Sequence, residues 1–362
     1  MKTTIGMIVL TCIVAIAIPC NQAAAGDWDA SSGDWWNVPY PEPFDASGIE
    51  TTLQFIHVEG NSFVDEDGNT RIFHGVNISD PDKLDKDGYW SKAHFQVIKD
   101  WGANLVRVPV HPAAWQGRGK VEYFKLLDQA VIWASELGLY LNIEWHSIGN
   151  LETGVFQHPQ YFTTRQETYN FWRDVSHRYA GIPAVAFYEV FNEPTTYNGQ
   201  LGQISWTQWK TIVEQMIGII FAHDTKVIPL VGGFDWAYEL RSVRNDPIDF
   251  AGIGYVSHPY PMKAKQPWEE NWEKDFGYVA DTYPLMAGEI GFMAADLPGA
   301  HIPVISDEEY GRRITAYFEK KGISWTAWCF DPDWPPQLIS DWDYTPTAQG
   351  AFFRGYMLGK DK

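Results

Sequence analysis

Residues 185–194 read Val-Ala-Phe-Tyr-Glu-Val-Phe-Asn-Glu-Pro. The run Val185–Val190 is too short for a helix, is rich in branched and aromatic side chains, and suits a strand buried on both faces. It ends in the polar pair Asn192-Glu193 before Pro194. The same pattern recurs on either side of it, at Ile72–Val76, Leu105–Val110, Leu139–Ile143, Val227–Val231, Ile253–Val256, Leu285–Ala287 and Ile323–Trp328. Longer amphipathic segments separate these runs. Phe124, Leu127, Val131 and Ala134 repeat at helical spacing and stop at Gly138. Ser205 with Gln208, and Ser306 with Glu309, read as capping-box pairs opening two more helices, and weaker helical patterns cover 161–180 and 346–358. Eight strand–helix alternations within about 310 residues predict a closed (β/α)8 TIM barrel. The rival is an open doubly wound sheet, but no Gly-x-Gly-x-x-Gly or Gly-x-x-x-x-Gly-Lys-Ser/Thr segment follows any run.

Ahead of the barrel, Leu53–Val58 and Asn61–Val64 alternate, Asp67-Gly68-Asn69 supplies turn residues, and Arg71–Val76 alternates again, which predicts a small N-terminal β-hairpin. Asp65-Glu66-Asp67 lacks the spacing of a calcium loop and reads as a solvated turn. Asp80–Asp87, with acids interleaved with Lys83 and Lys86, reads as a solvated loop. Residues 26–50 are rich in Gly, Ser, Pro and Trp and have no periodicity, so they form a lead-in laid over the surface. Lys2, the apolar stretch Ile5–Ile18 and the small residues Ala23-Ala24-Ala25 read as an export signal cleaved after Ala25. Lipid attachment at Cys20 is the competing reading, and Pro19 opposes it by standing where a small residue is wanted. The predicted organisation is therefore a signal peptide at 1–25, a lead-in at 26–50 and a catalytic barrel at 51–362.

Acidic residues outnumber Lys plus Arg by 46 to 27, a net charge of −19, with no basic stripe to offset it. Coulomb repulsion disfavours nucleic acid and anionic membrane surfaces as partners. No run after the signal reaches the length of a membrane span, so a soluble chain, secreted or periplasmic and monomeric, is expected. Only Cys329 remains beyond the signal region, which precludes an intrachain disulfide in the exported chain and reads as a buried, inert thiol. Aromatic residues make up 15% of the chain, more than a core of this size requires, so some are free to stack on a ligand.

In a barrel, function sits where strands end. The run ends carry Arg107 and His111, then Glu144-Trp145-His146, Asn192-Glu193-Pro194, His258-Pro259-Tyr260, Gly288-Glu289 and Trp328. Carboxylates after strands four and seven, Glu193 and Glu289, fit glycosidic cleavage, which needs an acid for the leaving oxygen and a second carboxylate facing the anomeric carbon. His-Glu-x-x-His, paired Cys and Gly-x-Ser-x-Gly are all missing, so neither a metal nor any other cofactor is expected, nor a serine nucleophile.

This constellation resembles glycoside hydrolase family 5 over residues 50 to 358. The resemblance implies that Glu193, in Asn192-Glu193-Pro194, is the general acid/base, and that Glu289, in Met286-Ala287-Gly288-Glu289-Ile290-Gly291, is the nucleophile. It also implies substrate-binding roles for Arg107, His146, Asn192, His258, Tyr260 and Trp328. Glu144 departs from the family pattern, which often has Asp before Trp-His. A nucleophile must be ionised, so Arg107 and Tyr260 are expected to hold Glu289 as a carboxylate. Burial and a negative neighbour are expected to raise Glu193. Asn192 would donate to the sugar 2-hydroxyl, His146 and His258 would orient, and Trp328 would floor the cleaved sugar. Trp115, Trp145, Trp236, Trp268 and Trp334 are candidate further platforms. The function implied is a retaining endo-β-1,4-glucanase acting on cellulose or mixed-linkage β-glucan. β-Mannanase, xyloglucanase and exo-β-glycosidase activities share these residues and stay open. A carbohydrate-binding protein that has kept the barrel is the non-enzymatic alternative.

Overall fold

Eight short strands, buried along nearly their whole length, pair in parallel and close on themselves in the computed structural model, which describes residues 38–195 and 201–360. They are β1 (His74–Asn77), β2 (Leu105–Val110), β3 (Tyr140–Trp145), β4 (Val185–Glu189), β5 (Ile228–Gly232), β6 (Gly254–Ser257), β7 (Leu285–Ile290) and β8 (Ser324–Ala327). Each pairs with the next in chain order, and β8 returns to β1 through Trp325↔His74 to Ala327↔Val76. The predicted TIM barrel is present, with strand positions within a few residues of those read from the apolar runs.

Among the described residues, seven helices of eight or more residues cover the outside: α1 (Lys92–Asp100), α2 (Lys120–Leu137), α3 (Arg165–Arg178), α4 (Trp206–Phe221), α5 (Trp268–Asp275), α6 (Glu308–Lys321) and α7 (Ala348–Met357). α2 stops at Gly138 in the left-handed conformation (φ 65°, ψ 43°), where glycine has no Cβ to oppose it. The capping box Ser205/Gln208 opens α4. The Ser306/Glu309 pair does not open α6: Asp307 is the cap, its carboxylate accepting from the Glu309 backbone N–H at 3.0 Å. Tryptophans on the inner faces of two helices tie them to strand ends, Trp172 Nε1 donating to the Val190 carbonyl at 2.9 Å and Trp209 Nε1 to that of Gly232 at 3.0 Å. Between β5 and β6 the chain forms only the turn Phe234–Ala237 and the 3-10 turn Arg241–Arg244 in place of a long helix.

The hairpin pairs His57–Glu59 with Ser62–Val64 and closes the bottom of the barrel. Phe63 packs edge-on at 5.0 Å from Phe187 and 6.0 Å from Phe73, within the cluster that fills the lower barrel. The described part of the lead-in lies across α3, where Arg178 Nη1 donates to the Glu42 carbonyl and the Phe44 N–H to that of Arg178, both within 2.7 Å. The proposed export signal, with Cys20, and the rest of the lead-in fall outside the described residues. Among those described, no helix is long and apolar enough to cross a membrane.

Two acidic segments differ from expectation. Asp65 is buried in its turn and accepts from the backbone N–H groups of Asn69 and Asp67. The Asp80–Asp87 stretch is a helical turn, Pro81–Lys86, with Asp80 as a buried cap. Asp80 also receives the His111 backbone N–H and the Tyr123 hydroxyl, each at 2.8 Å. A loop that looked free by composition is pinned because its Asp80 carboxylate, taken out of water, accepts from the Asp82 and His111 backbone N–H groups and the Tyr123 hydroxyl.

Candidate active site

Below the rim, the barrel holds a polar layer built around Arg107. This guanidinium is fully buried, so every N–H it carries needs an acceptor. Nε and Nη2 grip the Glu189 carboxylate at 2.8 and 2.6 Å, Nη2 also reaches Asn192 Oδ1 at 2.7 Å, and Nη1 reaches Asn77 Oδ1 at 2.8 Å and Glu289 Oε1 at 3.0 Å. One cation on β2 thereby connects β1, β4 and β7. Glu189 itself went unread in the sequence, although a glutamate inside an apolar strand run signals a buried charge in need of a partner. Burial works against its ionisation, and Arg107 overrides this and holds the carboxyl well below the usual range.

Glu289, at 5% exposure, completes its shell with the Tyr260 hydroxyl, which donates to Oε2 at 2.8 Å. Both partners named for it from the sequence, Arg107 and Tyr260, are in contact. Glu193 lies just past β4 and is 9% exposed. Its backbone is fixed by a small rim sheet in which Ile148–Asn150 pairs with Glu193–Pro194 and Val155–Phe156, the Glu193 N–H donating to the Ser147 carbonyl at 3.1 Å. Burial, joined by the charge of Glu289, raises the Glu193 carboxyl against the opposing hydrogen bond from His258. One oxygen of Glu193, one of Glu289 and a ring nitrogen of His258 lie within 4.8 Å of one another.

His258 faces carboxylates with both nitrogens: Nδ1 lies 3.1 Å from Glu193 and Nε2 3.3 Å from Glu189. Burial disfavours its charge, but Glu289 and the two bonded glutamates outweigh this and lift it to about 9, so it stands as imidazolium at neutral pH. His146 behaves in the opposite way. Burial and the nearby His111 and Arg107 hold it well below the usual range, and its Nδ1 pairs with Glu144. Glu144 is raised by its own burial, only partly opposed by Arg107. The His146 ring lies parallel to Trp328 at 5.5 Å, and Trp334 continues the parallel arrangement at 5.9 Å from Trp328.

Of these groups, Glu193, Glu289, Asn192, His146, Tyr260 and Trp328 border a cleft of about 600 Å³, and His258, fully buried, stands behind Glu193 outside the cleft lining. Arg107 lies beneath the cleft. The amide nitrogen of Asn192 is buried with no hydrogen-bond partner among the described residues, a donor left over for a ligand. Of the five extra aromatic candidates, Trp236 lines the cleft and Trp334 stacks beside Trp328. Trp115, Trp145 and Trp268 do not reach it: all three are core residues, Trp145 packed 4.3 Å from Phe171 and Trp268 stacked on Trp272. A larger groove of about 1110 Å³ lies by the start of β3, but four of its lining charges pair off, Lys92 with Glu136 and Arg71 with Asp65, and among the described residues no carboxylates converge on it with a buried cation.

The family profile described as Cellulase (glycosyl hydrolase family 5) matches residues 64–333. A crystal structure of a β-glucanase from Saccharophagus degradans is 48% identical, with a TM-score of 0.88 over 91% of this chain and all of that one. A second structure of that enzyme, in complex with cellotetraose, superimposes with a TM-score of 0.87. An endoglucanase of Paenibacillus polymyxa is 23% identical over 359 residues, covering 83% of this chain and 86% of the relative. Endoglucanase A of Butyrivibrio fibrisolvens is 26% identical over 268 residues, 71% of this chain, and the match spans 57% of that longer protein. With a profile match across most of its length and glutamates just past the fourth strand and near the end of the seventh strand of a closed barrel, the chain belongs to glycosyl hydrolase family 5.

Proposed function

We propose that this protein is a retaining, endo-acting hydrolase of β-1,4-glucan, cellulose or mixed-linkage, working by double displacement. The observation that carries the reading is the pairing of Glu193 and Glu289, with oxygens within 4.8 Å and unlike surroundings. Retaining glycosidases hold their carboxyl groups about 5–5.5 Å apart, whereas inverting ones leave roughly 6.5–9.5 Å for a water. Glu289, gripped by Arg107 and Tyr260, attacks the anomeric carbon as Glu193 hands its proton to the glycosidic oxygen. In the second step Glu193, its negative neighbour now neutralised in the ester, takes a proton from the water that releases the sugar. Asn192 donates to the 2-hydroxyl, His146 and His258 orient, and Trp328 lies under the cleaved ring. An open cleft favours internal bonds over chain ends, and the cellotetraose bound by the Saccharophagus relative supports a β-1,4-glucan in it. Export through residues 1–25, to the medium or the periplasm, fits a polymeric substrate that does not enter cells.

Hydrolysis of a panel of β-glucan, β-mannan and xyloglucan, followed by proton NMR, tests the reading. The β-anomer is expected first and β-glucan is expected to be the best substrate. Initial α-anomer would exclude double displacement, and retention on a glucan column without product would point to a binding protein. Glu289→Gln is expected to lower kcat at least about 10³-fold without loss of folding.

A further inference from the structure

After β5, three consecutive non-glycine residues, Asp235, Trp236 and Ala237, stand in the left-handed region at φ 57°, 55° and 55°. The Cβ of each opposes this conformation, and such a stretch persists only where its surroundings over-determine it. The surroundings are identifiable. Lys263, in the 3-10 turn Pro261–Lys263 after β6, is only 11% exposed at its side chain and donates to the Asp235 carbonyl at 2.8 Å and to its Oδ1 at 3.3 Å. The same ammonium lies 4.4 Å from the centre of the Trp236 ring. The indole N–H is held from the other wall by Gln157 Oε1 at 2.6 Å, and the Ala237 carbonyl accepts the His258 backbone N–H at 3.0 Å.

We propose that Lys263 is a positioning residue: it clamps the left-handed turn and holds Trp236 as the platform for the glucosyl unit on the leaving-group side of the scissile bond. This rests on the glycosidase reading above. The strand order assigns the side. Glu193 after β4 and Glu289 on β7 divide the rim into an arc carrying the β5 and β6 loops and an arc running from β8 through β3. Trp328, the floor of the cleaved sugar, belongs to the second arc and Trp236 to the first, so the bond broken lies between them. The first arc also leaves apolar side chains open beside the cleft: Met262 is 48% exposed, and Ile302, brought in by the loop after β7, is 71% exposed. A pyranose ring presents apolar C–H faces to such a wall and to an indole. An ammonium on the ring restricts the indole to one orientation while its charge stays paired with Asp235.

Two substrates separate this role from the chemistry itself. Cellopentaose places sugars on both sides of the cleaved bond; β-cellobiosyl fluoride has a leaving group that fills no sugar site. Lys263→Met is expected to lower the ratio of kcat/KM on cellopentaose to that on the fluoride about tenfold. W236A is expected to lower it by at least as much, and the double variant no further than W236A alone. Gln157→Leu, at an exposed position, is expected to lower the same ratio about threefold, and it stands in for Lys263→Met should that variant not accumulate as folded protein. An unchanged ratio, or a further fall when Lys263→Met is added to W236A, overturns the clamp. Failure of the unmodified chain to turn over either substrate overturns the glycosidase reading instead.

Discussion

In the proposed mechanism Glu193 and Glu289 are one residue type given two tasks, and what their oxygens touch sets them apart. Glu289 meets a permanent cation and a phenol; Glu193 meets an imidazolium and the other glutamate. His258 is the adjustable part. Its hydrogen bond and charge pull Glu193 down, against the burial and Glu289 charge that keep it raised. Removing the imidazolium leaves burial and the Glu289 charge opposed only by the charge of Lys263, so in His258→Gln the alkaline limb of kcat/KM, set in the proposed mechanism by loss of the Glu193 proton, is expected to move up. A limb that holds still or moves down would contradict this assignment of the acid. His258 also titrates in folding. Its folded value of about 9 exceeds the ordinary 6.5, so the stabilisation it gives is complete below pH 6.5 and disappears as pH rises through about 9. Denaturant unfolding across that interval is expected to show stability falling with pH, and less steeply in the Gln variant.

Gly288, one position before the proposed nucleophile, is placed by its strand rather than by its own conformation. A Cβ there would lie 2.7 Å from Val256 Cγ2, 2.9 Å from His258 Nε2 and 3.1 Å from Glu189 Oε2. β7 therefore approaches β6 and the Arg107 layer as closely as it does only because this position has no side chain. Gly288→Ala is expected to cost about 1–3 kcal/mol of stability and to lower kcat at least tenfold, read from a denaturation midpoint and from turnover of β-glucan. An alanine variant with normal turnover would mean that the layer has slack. The elements also mark where sequence reading succeeded and where it stopped. Strands buried on both faces read as nearly continuous apolar runs, and so all eight were legible. Trp145 ends such a run and was a fair platform candidate, yet whether a strand-end indole turns toward the cleft or toward Phe171 depends on the pleat, which the sequence leaves undetermined. The left-handed turn at Phe234–Ala237 carries no local signal at all, because distant partners such as Lys263 and Gln157 impose it. Glu189 and Asn77 were readable in principle as polar residues in apolar runs. Arg107, the partner that gives them meaning, lies 30 residues from Asn77 and 82 from Glu189 in sequence.

At the scale of the whole molecule, composition says as much as geometry. A net charge of −19 on 362 residues surrounds the cleft with a repulsive field for any polyanion, while a neutral glucan does not sense it. The common soluble assay substrate carboxymethyl-cellulose is a polyanion; mixed-linkage β-glucan is uncharged. The field reaches roughly 30 Å at 0.01 M salt and about 8 Å at 0.15 M, the difference between several sugar lengths and less than two. Raising NaCl from 10 to about 150 mM is therefore expected to increase kcat/KM on carboxymethyl-cellulose several-fold, mainly through KM, and to change the value on mixed-linkage β-glucan less than twofold. Initial rates on both polymers over a salt series check this. Parallel responses would mean that salt acts on the enzyme's own fold or on the Arg107 network, since that effect would not distinguish a charged chain from a neutral one. A divergence confined to the charged polymer would place the cause in the long-range field, which acts on the substrate before any residue of the cleft touches it.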